Sequence, residues 1–442
     1  MTSATPEDAD AAADAAARAF PVWAGRSGVE RGAVLGDTAR RIRLARDDIA
    51  PLITAEMGKP IAEARSELDG VAATFEFFGQ AAAELPQPEE RLSDGLRRMV
   101  SDRPVGPVLV LNTWNFPVET VATPLAPALA AGCTAVVLAN PVAPSSVVAL
   151  FRLLAECDLP RGAVNLLAGS GPSLSKQLIA DKNICHVAYT GSVSVGRTLA
   201  AQAGQAIKRA TLELGGNAPA IILPGAEVEA TARALAGKRY WNAGQVCTAP
   251  NRIYVHESIY EAVVEAVTAY CGSLKTGPGD DPSTTMGPLA TTTRRDAMRQ
   301  ILEDARTRRT RIAFSGEMPD GPGNFFPPTV LADMPEEALG MTEEIFGPIA
   351  CLSAYRDVDS AVERANACDL GLSAYVFGPD RDEAERVARR LKAGSVGVNQ
   401  MVTAFVDTPF GGVKDSGLGV VGGRQAIREF QKPRLDAIGL YT

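Results

Sequence analysis

The sequence predicts an α/β protein with two parallel sheets whose faces are covered by helices. The first indication is two successive series of short apolar runs that alternate with helix-length segments. The second is the length of 442 residues, which is enough for two or three domains with cores of their own. The composition agrees, since 46% hydrophobic and 22% charged residues is ordinary for a globular protein.

The N-terminal segments are predicted to be helical. Helical spacing of apolar residues covers residues 5–19, 28–56 and 60–84. Thr5 is a suitable N-cap for the first helix, and Pro6 fits its first turn. Pro51 is expected to break the second segment because proline lacks a backbone N–H.

The predicted strands form two series along the chain. The first series consists of VLVL at 108–111, AVVL at 135–138, VNLL at 164–167, HVAY at 186–189 and AIIL at 220–223. The second consists of RIYV at 252–255, IACL at 349–352, AYVF at 374–377 and SVGV at 395–398. Short apolar strands separated by helices are typical of βαβ units, so two α/β domains are expected.

The segment 86–104 differs from its surroundings because it is polar and has a turn pattern at Ser93-Asp94-Gly95. It is interpreted as a hairpin arm or as a solvated linker. The sequence leaves both alternatives open.

Charge and targeting patterns exclude several classes of function. A formal net charge of -8 makes nucleic acid or an anionic membrane an unsuitable main partner. The N-terminus has no basic region followed by an apolar core, so no signal peptide is predicted. The uncharged stretch between Glu119 and Arg152 is interrupted by four prolines and is not expected to span a membrane.

The cysteine and histidine content favours a cytoplasmic protein without a metal site. The seven cysteines are scattered and form no CxxC pair, which is typical of a reducing compartment and not of disulfides or zinc. With two histidines, His186 and His256, a general base is expected to be a carboxylate.

Three clusters carry groups suited to catalysis. Asn115, in the run 112–117, has an amide that can donate to an oxyanion, although a turn asparagine is the alternative. Glu213 is flanked by leucines, and burial would make it a base near neutral pH. Cys247 follows a glycine-containing turn, and a nearby helix N-terminus would favour its thiolate; most cysteines are only small buried hydrophobes.

Two further clusters are suited to a nucleotide. Glu344 and Phe346 are two residues apart, so in a strand-like segment both side chains would face a ribose and a ring. Gly191 and Ser192 follow an apolar strand and precede a helix, where backbone N–H groups and the hydroxyl would hold a pyrophosphate.

Taken together, these strings resemble the aldehyde dehydrogenase superfamily from about residue 10 to the C-terminus, including to some degree its semialdehyde branch. The matching strings are WNFP at 114–117, TGSVSVG at 190–196, ELGGN at 213–217, NAGQVC at 242–247, EEIFGP at 343–348 and PFGGVKDSGLG at 409–419. The resemblance implies a Rossmann-type cofactor domain, an α/β catalytic domain and a small β oligomerisation arm.

The resemblance also implies a mechanism. Cys247 would attack the aldehyde, while the Asn115 side chain and the Cys247 N–H hold the oxyanion. Hydride passes to NAD or NADP, and Glu213 then activates water to hydrolyse the thioester. The cofactor residues implied by the motifs are Thr113, Trp114, Gly191, Ser192, Val195, Leu214, Glu344 and Phe346.

The substrate and the cofactor type are less well defined. Trp241 stands where members acting on succinate semialdehyde often have arginine. Trp241 and Phe405 therefore favour an uncharged, apolar or aromatic aldehyde. The alternative is that Trp241 only packs in the core. Ala139, Asn140 and Pro141 replace the family's ribose-contacting lysine, and no Lys or Arg occurs from 104 to 151. The choice between NAD and NADP therefore stays open.

The implied domains are 1–85 with 105–214 for the cofactor, 215–429 for catalysis, and 86–104 with 430–442 as the arm of a homodimer or homotetramer. There are two alternatives to hydrolytic oxidation. One is acyl transfer to coenzyme A, which the presence of Glu213 as a base for water argues against. The other is a non-catalytic binding protein, and the missing lysine supports it.

Overall fold

The computed structural model describes residues 3–86, 88–93, 96–169, 171–319 and 321–439. Within them, the helices are α1 Pro6–Ala24, α2 Gly28–Leu44, α3 Arg46–Met57, α4 Ile61–Ala83, α5 Glu119–Ala131, α6 Pro144–Ala155, α7 Gly171–Ala180, α8 Val193–Gln205, α9 Val228–Tyr240, α10 Tyr260–Gly272, α11 Thr292–Thr307, α12 Leu339–Thr342, α13 Val358–Asn366, α14 Arg381–Ala388 and α15 Gln425–Glu429. Short 3-10 helices cover Trp241–Gly244 and Glu257–Ile259.

The strands in the same residues are β1 Glu89–Ser93, β2 Leu96–Pro104, β3 Val108–Leu111, β4 Ala135–Ala139, β5 Val164–Ala168, β6 His186–Thr190, β7 Arg209–Glu213, β8 Ala218–Ile222, β9 Pro250–His256, β10 Arg311–Ser315, β11 Thr329–Ala332, β12 Ile349–Tyr355, β13 Leu370–Gly371, β14 Ser373–Phe377, β15 Ser395–Val398, β16 Val413–Lys414, β17 Gly417–Leu418 and β18 Gln431–Gly439. The α/β class predicted from the sequence is confirmed.

The first helices follow the predicted capping pattern. The Thr5 hydroxyl accepts from the Asp8 N–H while the Asp8 carboxylate accepts from the Thr5 N–H, a complete capping box. The break predicted at Pro51 is wrong, because the chain leaves the helix at Ala45 and Pro51 lies inside α3. Pro51 is exposed and costs α3 one backbone hydrogen bond, which the buried residues around it offset.

Two large sheets organise the molecule. The first has the strand order β17-β7-β6-β3-β4-β5, and the five strands β3 to β7 are parallel. The second has the order β10-β11-β12-β9-β8-β14-β15, with β10 antiparallel at its edge. The run AIIL at 220–223 therefore belongs to the second sheet and not to the first series. Antiparallel β17 returns from the C-terminal part of the chain to pair with β7.

Both sheets are buried between helices. All residues of β3 and β4 are buried, which is why these strands are continuous apolar runs and do not alternate. The uncharged helix α5 packs in the same core, although it contains Pro124 and Pro127. Among the described residues, no helix combines the length and the apolar character needed to cross a membrane.

The segment 86–104 forms two antiparallel strands, β1 and β2, and β18 adds along β2 to complete a three-stranded sheet. The turn pattern at Ser93-Asp94-Gly95 lies partly outside the described residues, as does the end of 430–442. Val100 and Leu435 are direct cross-strand partners, and both side chains are exposed.

The carboxyl edge of the first sheet faces the amino edge of the second. Asn112, Asn140 and Gly191 follow β3, β4 and β6, and Glu213 ends β7. Cys247 lies just before β9 of the second sheet. Ligands of open α/β sheets bind at carboxyl edges, so this junction is where a site is expected.

Candidate active site

Cys247 lies in a turn between the 3-10 helix and β9, and it is partly exposed. It is not at a helix N-terminus, so the dipole contribution considered from the sequence is absent. The approach to it is strained, since Asn242 and Ala243 both have a φ of 51° and Gly244 has a φ of 74°. This conformation turns the chain sharply before the thiol.

Buried polar groups hold that turn in place. The Arg239 guanidinium donates to the Gly244 carbonyl at 2.6 Å, and the Gln245 amide donates to the Asn242 carbonyl at 3.1 Å. The side-chain carbonyl oxygen of Gln245 accepts a hydrogen bond from the Ala290 N–H at 2.9 Å. Neither Arg239 nor Gln245 could be predicted as a support of the turn, because nothing in their spacing shows which carbonyls they reach.

Asn115 contacts the same turn. Its side-chain amide donates to the Gln245 carbonyl at 3.0 Å, and the Asn242 amide donates to the Asn115 carbonyl at 3.0 Å. Asn115 is 4% exposed. One N–H of its amide is used by Gln245, which leaves the second to donate to a ligand beside Cys247.

Glu213 ends β7 and is 7% exposed. Neither of its carboxylate oxygens has a hydrogen-bond partner among the described residues. Burial therefore raises the pKa of Glu213 well above its ordinary value. The loop after it approaches the nucleophile turn, because a Cβ added to Gly216 would lie 2.5 Å from the Cys247 carbonyl oxygen.

Glu344 reaches the same loop. Its Oε1 accepts from the Gly216 N–H at 3.0 Å, and a Cβ on Gly215 would lie 2.6 Å from its Oε2. Burial raises the pKa of Glu344 to about 7, although the hydrogen bond from the Gly216 N–H and the positive charge of Arg294 act to lower it.

Phe346 contacts Trp114 edge to face, with ring centroids 5.6 Å apart. The strand-like conformation expected for this segment is wrong, since no strand covers residues 343–348 and Phe346 has a φ of 48°. Two aromatic residues predicted to contact the nucleotide are nevertheless brought together.

The loop between β6 and α8 forms an open helix N-terminus. Ser192 is the N-cap of α8, yet its hydroxyl caps no backbone N–H, so the first N–H groups of the helix are available. Gly191 donates its N–H to the Glu213 carbonyl at 3.0 Å, and Val195 is 45% exposed on the first turn. A Cβ on Gly196 would lie 2.4 Å from Leu214, so α8 packs closely on the end of β7.

Thr113 and the loop after β4 lie side by side. The Asn112 side chain donates to the Thr113 carbonyl at 3.2 Å and accepts from the Asn140 N–H at 2.9 Å. Asn140 also accepts from the Val142 N–H at 3.0 Å, so its side chain orders the loop where the family lysine is missing.

The two predicted substrate residues differ in their surroundings. Trp241 packs on Phe116 with ring centroids 5.1 Å apart, next to Asn115. Phe405 is 50% exposed and makes no ring contact with Trp241. Thr403, in the same loop, lies 3.5 Å from the Tyr375 hydroxyl, and this hydroxyl donates to the Thr248 carbonyl at 2.6 Å, next to Cys247.

Charged groups surround the thiol. The pKa of Cys247 is raised to about 12, mainly by burial; Glu344, Glu213 and Glu119 contribute to this rise, and Lys238 acts against it. Burial likewise raises the pKa of Glu119 to about 7. Glu119 and Lys238 were not singled out in the sequence, because they come from distant helices, α5 and α9.

These residues fit a nicotinamide dinucleotide. The α8 N-terminus and Ser192 offer donors for a pyrophosphate, as helix N-termini do for phosphates. The Trp114–Phe346 pair offers an aromatic wall, and Glu344 offers a carboxylate acceptor.

Comparison with known proteins decides the family. The model of the aldehyde dehydrogenase family matches residues 1–435. The chain belongs to the aldehyde dehydrogenase family. It is 36% identical to a succinate-semialdehyde dehydrogenase of Paenarthrobacter nicotinovorans, over 97% of this chain and 96% of the relative. It is 33% identical to the NADP(+)-dependent succinate-semialdehyde dehydrogenase GabD of Escherichia coli strain K12, over 98% of this chain and 90% of that relative.

A solved structure shows the same fold. Betaine aldehyde dehydrogenase from Staphylococcus aureus in complex with NAD+ superposes with a TM-score of 0.95 at 30% identity, covering 100% of this chain and 89% of that one. This family member is an NAD(P)-dependent enzyme that oxidises an aldehyde to a carboxylic acid. Neither coenzyme A acylation nor a non-catalytic role is favoured by these relatives.

Proposed function

We propose that Cys247 is the nucleophile, Asn115 the oxyanion donor and Glu213 the base for water in this dehydrogenase. The observation that carries the proposal is the convergence of three separate segments on one turn. Asn115 donates to the Gln245 carbonyl, and the loop after Glu213 packs on the Cys247 carbonyl. A thiol, a free amide N–H and an unpaired carboxyl then share one small space.

The proposed steps follow from these groups. The Cys247 thiolate forms a bond to the aldehyde carbon, and the carbonyl oxygen becomes an oxyanion held by the free Asn115 N–H and the Cys247 N–H. Bound NAD(P)+ would supply the acceptor for the hydride of this carbon, and the product on Cys247 would be a thioester. Glu213 takes a proton from water, the resulting hydroxide attacks the thioester, and the carboxylic acid leaves as the thiol is restored.

For the nucleotide, Ser192, Gly191 and Val195 would contact the pyrophosphate at α8, with Leu214 beneath that helix. Thr113, Trp114, Glu344 and Phe346 would line the side of the nicotinamide and its ribose. The neutral Ala139-Asn140-Pro141 loop offers a 2′-phosphate neither attraction nor repulsion, so use of both NAD and NADP is proposed.

For the substrate, an uncharged apolar or aromatic aldehyde is proposed. The support is the Trp241–Phe116 contact beside Asn115 and the exposed ring of Phe405. An acidic semialdehyde, the substrate class in the names of two relatives, is the competing candidate.

A panel of aldehydes tests the proposal. Benzaldehyde, hexanal and succinate semialdehyde are supplied with NAD or NADP, and absorbance of the reduced nucleotide is followed. The expected order of kcat/KM places the first two above succinate semialdehyde. The reverse order would refute the substrate class, and a Cys247→Ser variant that retains turnover would refute the site.

The domain division is proposed as 1–85 with 105–214 for the cofactor and 215–429 for catalysis. The sheet of β1, β2 and β18, from 86–104 and 430–442, is proposed to join copies of the chain in a homodimer or homotetramer. Its exposed Val100 and Leu435 support this, and light scattering on Val100→Asp protein would show smaller particles. The seven free cysteines support a cytoplasmic location.

A further inference from the structure

Lys238 is a mostly buried cation for which the proposed mechanism has no use. It lies in the last turn of α9, three residues before Trp241. Its Nζ sits over the Trp241 ring, 4.8 Å from the centroid. Among the described residues it makes no hydrogen bond and no ion pair. A buried ammonium without a counterion is costly, so such a group calls for an explanation.

The neighbouring cation provides a contrast. Lys59 is also buried, but its Nζ is 2.5 Å from the Glu67 carboxylate, and Glu67 in turn accepts from the N–H groups of Val118 and Glu119 at the start of α5. Lys59 therefore has a complete structural role. For Lys238, by contrast, the Trp241 ring is the one such partner among the described residues.

Burial lowers the pKa of Lys238, and the negative charges of Cys247 and Glu119 act against that change. The Glu119 carboxylate also has no hydrogen-bond partner among the described residues and is not within 4.0 Å of Lys238. For Cys247, the charges of Glu344, Glu213 and Glu119 disfavour a negative sulfur, and that of Lys238 favours it. No helix N-terminus assists, since Cys247 lies in a turn.

We propose that Lys238 is a positioning residue whose ammonium, held over Trp241, stabilises the Cys247 thiolate, and that Glu119 opposes it. The proposal rests on the assignment of Cys247 as nucleophile. The thiol proton leaves to solvent or to a base, and the negative sulfur that forms is balanced by the fixed positive charge. Trp241 holds the ammonium by cation–π attraction without neutralising it.

The test is the rate of alkylation of Cys247 by iodoacetamide, a neutral reagent, as a function of pH. Mass spectrometry of the Cys247 peptide separates this thiol from the other six. An opposite charge nearby moves a pKa by at least about one unit, so Lys238→Met should slow alkylation about ten-fold below the thiol pKa. Lys238→Arg should restore most of the rate, and Glu119→Gln should increase it.

Arg233→Met is the matched control, because Arg233 is exposed on the same helix. In Arg233→Met, Cys247 should be alkylated at the same rate as in the enzyme without a substitution. If Lys238 has only a structural role, the dependence of the Cys247 alkylation rate on pH should be the same in Lys238→Met and Glu119→Gln as in the original enzyme. That result would overturn the proposal.

Alkylation requires no turnover, so the two proposals fail separately. If Cys247→Ser retained dehydrogenase activity, the catalytic assignment would fail while the effect of Lys238 on the thiol was still measured. If Cys247 were required but Lys238→Met alkylated normally, the further inference alone would fail.

Discussion

The substitution Glu213→Gln separates the two halves of the proposed reaction. Glu213 is buried and both carboxylate oxygens lack partners, so an amide of the same shape removes the base without breaking a hydrogen bond. Formation of the thioester needs Cys247 and not Glu213. General-base assistance contributes about 10²–10⁴-fold, so hydrolysis of the thioester should slow by that factor.

The assay is rapid mixing of enzyme, nucleotide and a good aldehyde, with absorbance of the reduced nucleotide followed in time. A burst of about one equivalent per Cys247 should precede a slow steady state. Coenzyme A should not accelerate the slow phase. Glu265→Gln, a change at an exposed glutamate of α10, is the control and should show the original steady-state rate. A Glu213→Gln enzyme with unchanged steady-state turnover would refute the assignment.

The same variant has a stability signature. Because the pKa of Glu213 is raised in the folded state, the folded protein binds a proton that the unfolded chain releases. The free energy of unfolding therefore falls as pH rises from the ordinary glutamate pKa through the raised one. Glu213→Gln lacks this loss, so its Tm should exceed that of the original enzyme by a margin that grows with pH. A margin independent of pH would show that the carboxyl is not buried in solution.

Two further substitutions test other parts of the site. Asn115→Ala removes an oxyanion donor and should lower kcat by about 10²–10³-fold. Its far-UV circular dichroism should be unchanged. A loss of kcat below ten-fold in steady-state assays would show that Asn115 does not stabilise the oxyanion. Glu344, with a pKa raised to about 7, is a better acceptor when ionised, so nucleotide affinity should increase as pH rises through 7. Fluorescence titration should show no such increase in Glu344→Gln, and the same pH dependence in both proteins would contradict this role.

Much of the fold could be predicted because buried parallel strands are continuous apolar runs. VLVL and AVVL became β3 and β4 with every residue buried. By contrast, β7 has the sequence RATLE and is a strand because it pairs with β6, which local sequence does not encode. The same holds for β18, whose largely exposed residues are organised by pairing along β2.

The candidate site divides in a similar way. Cys247, Glu213 and Asn115 stand in compact motifs, so a resemblance was enough to select them. Lys238 and Glu119 stand in no such motif. Lys238 is near the end of α9 and Glu119 at the start of α5, and the adjoining residues Trp241 and Phe116 pack together. Long-range packing of this kind leaves no regular spacing in the sequence.

The charges around Cys247 have a joint consequence for its titration. Burial gives Glu119 and Glu344 pKa values of about 7, and each carboxylate disfavours a negative sulfur once it is ionised. As pH rises, the thiol therefore loses its proton in a field that becomes more negative. The alkylation rate of Cys247 should rise with pH more gradually than a single ionisation allows, because the coupled groups titrate together. Removing one of these carboxylates by Glu119→Gln should steepen the curve, and an unmodified enzyme that already followed one simple ionisation would show that these groups do not interact.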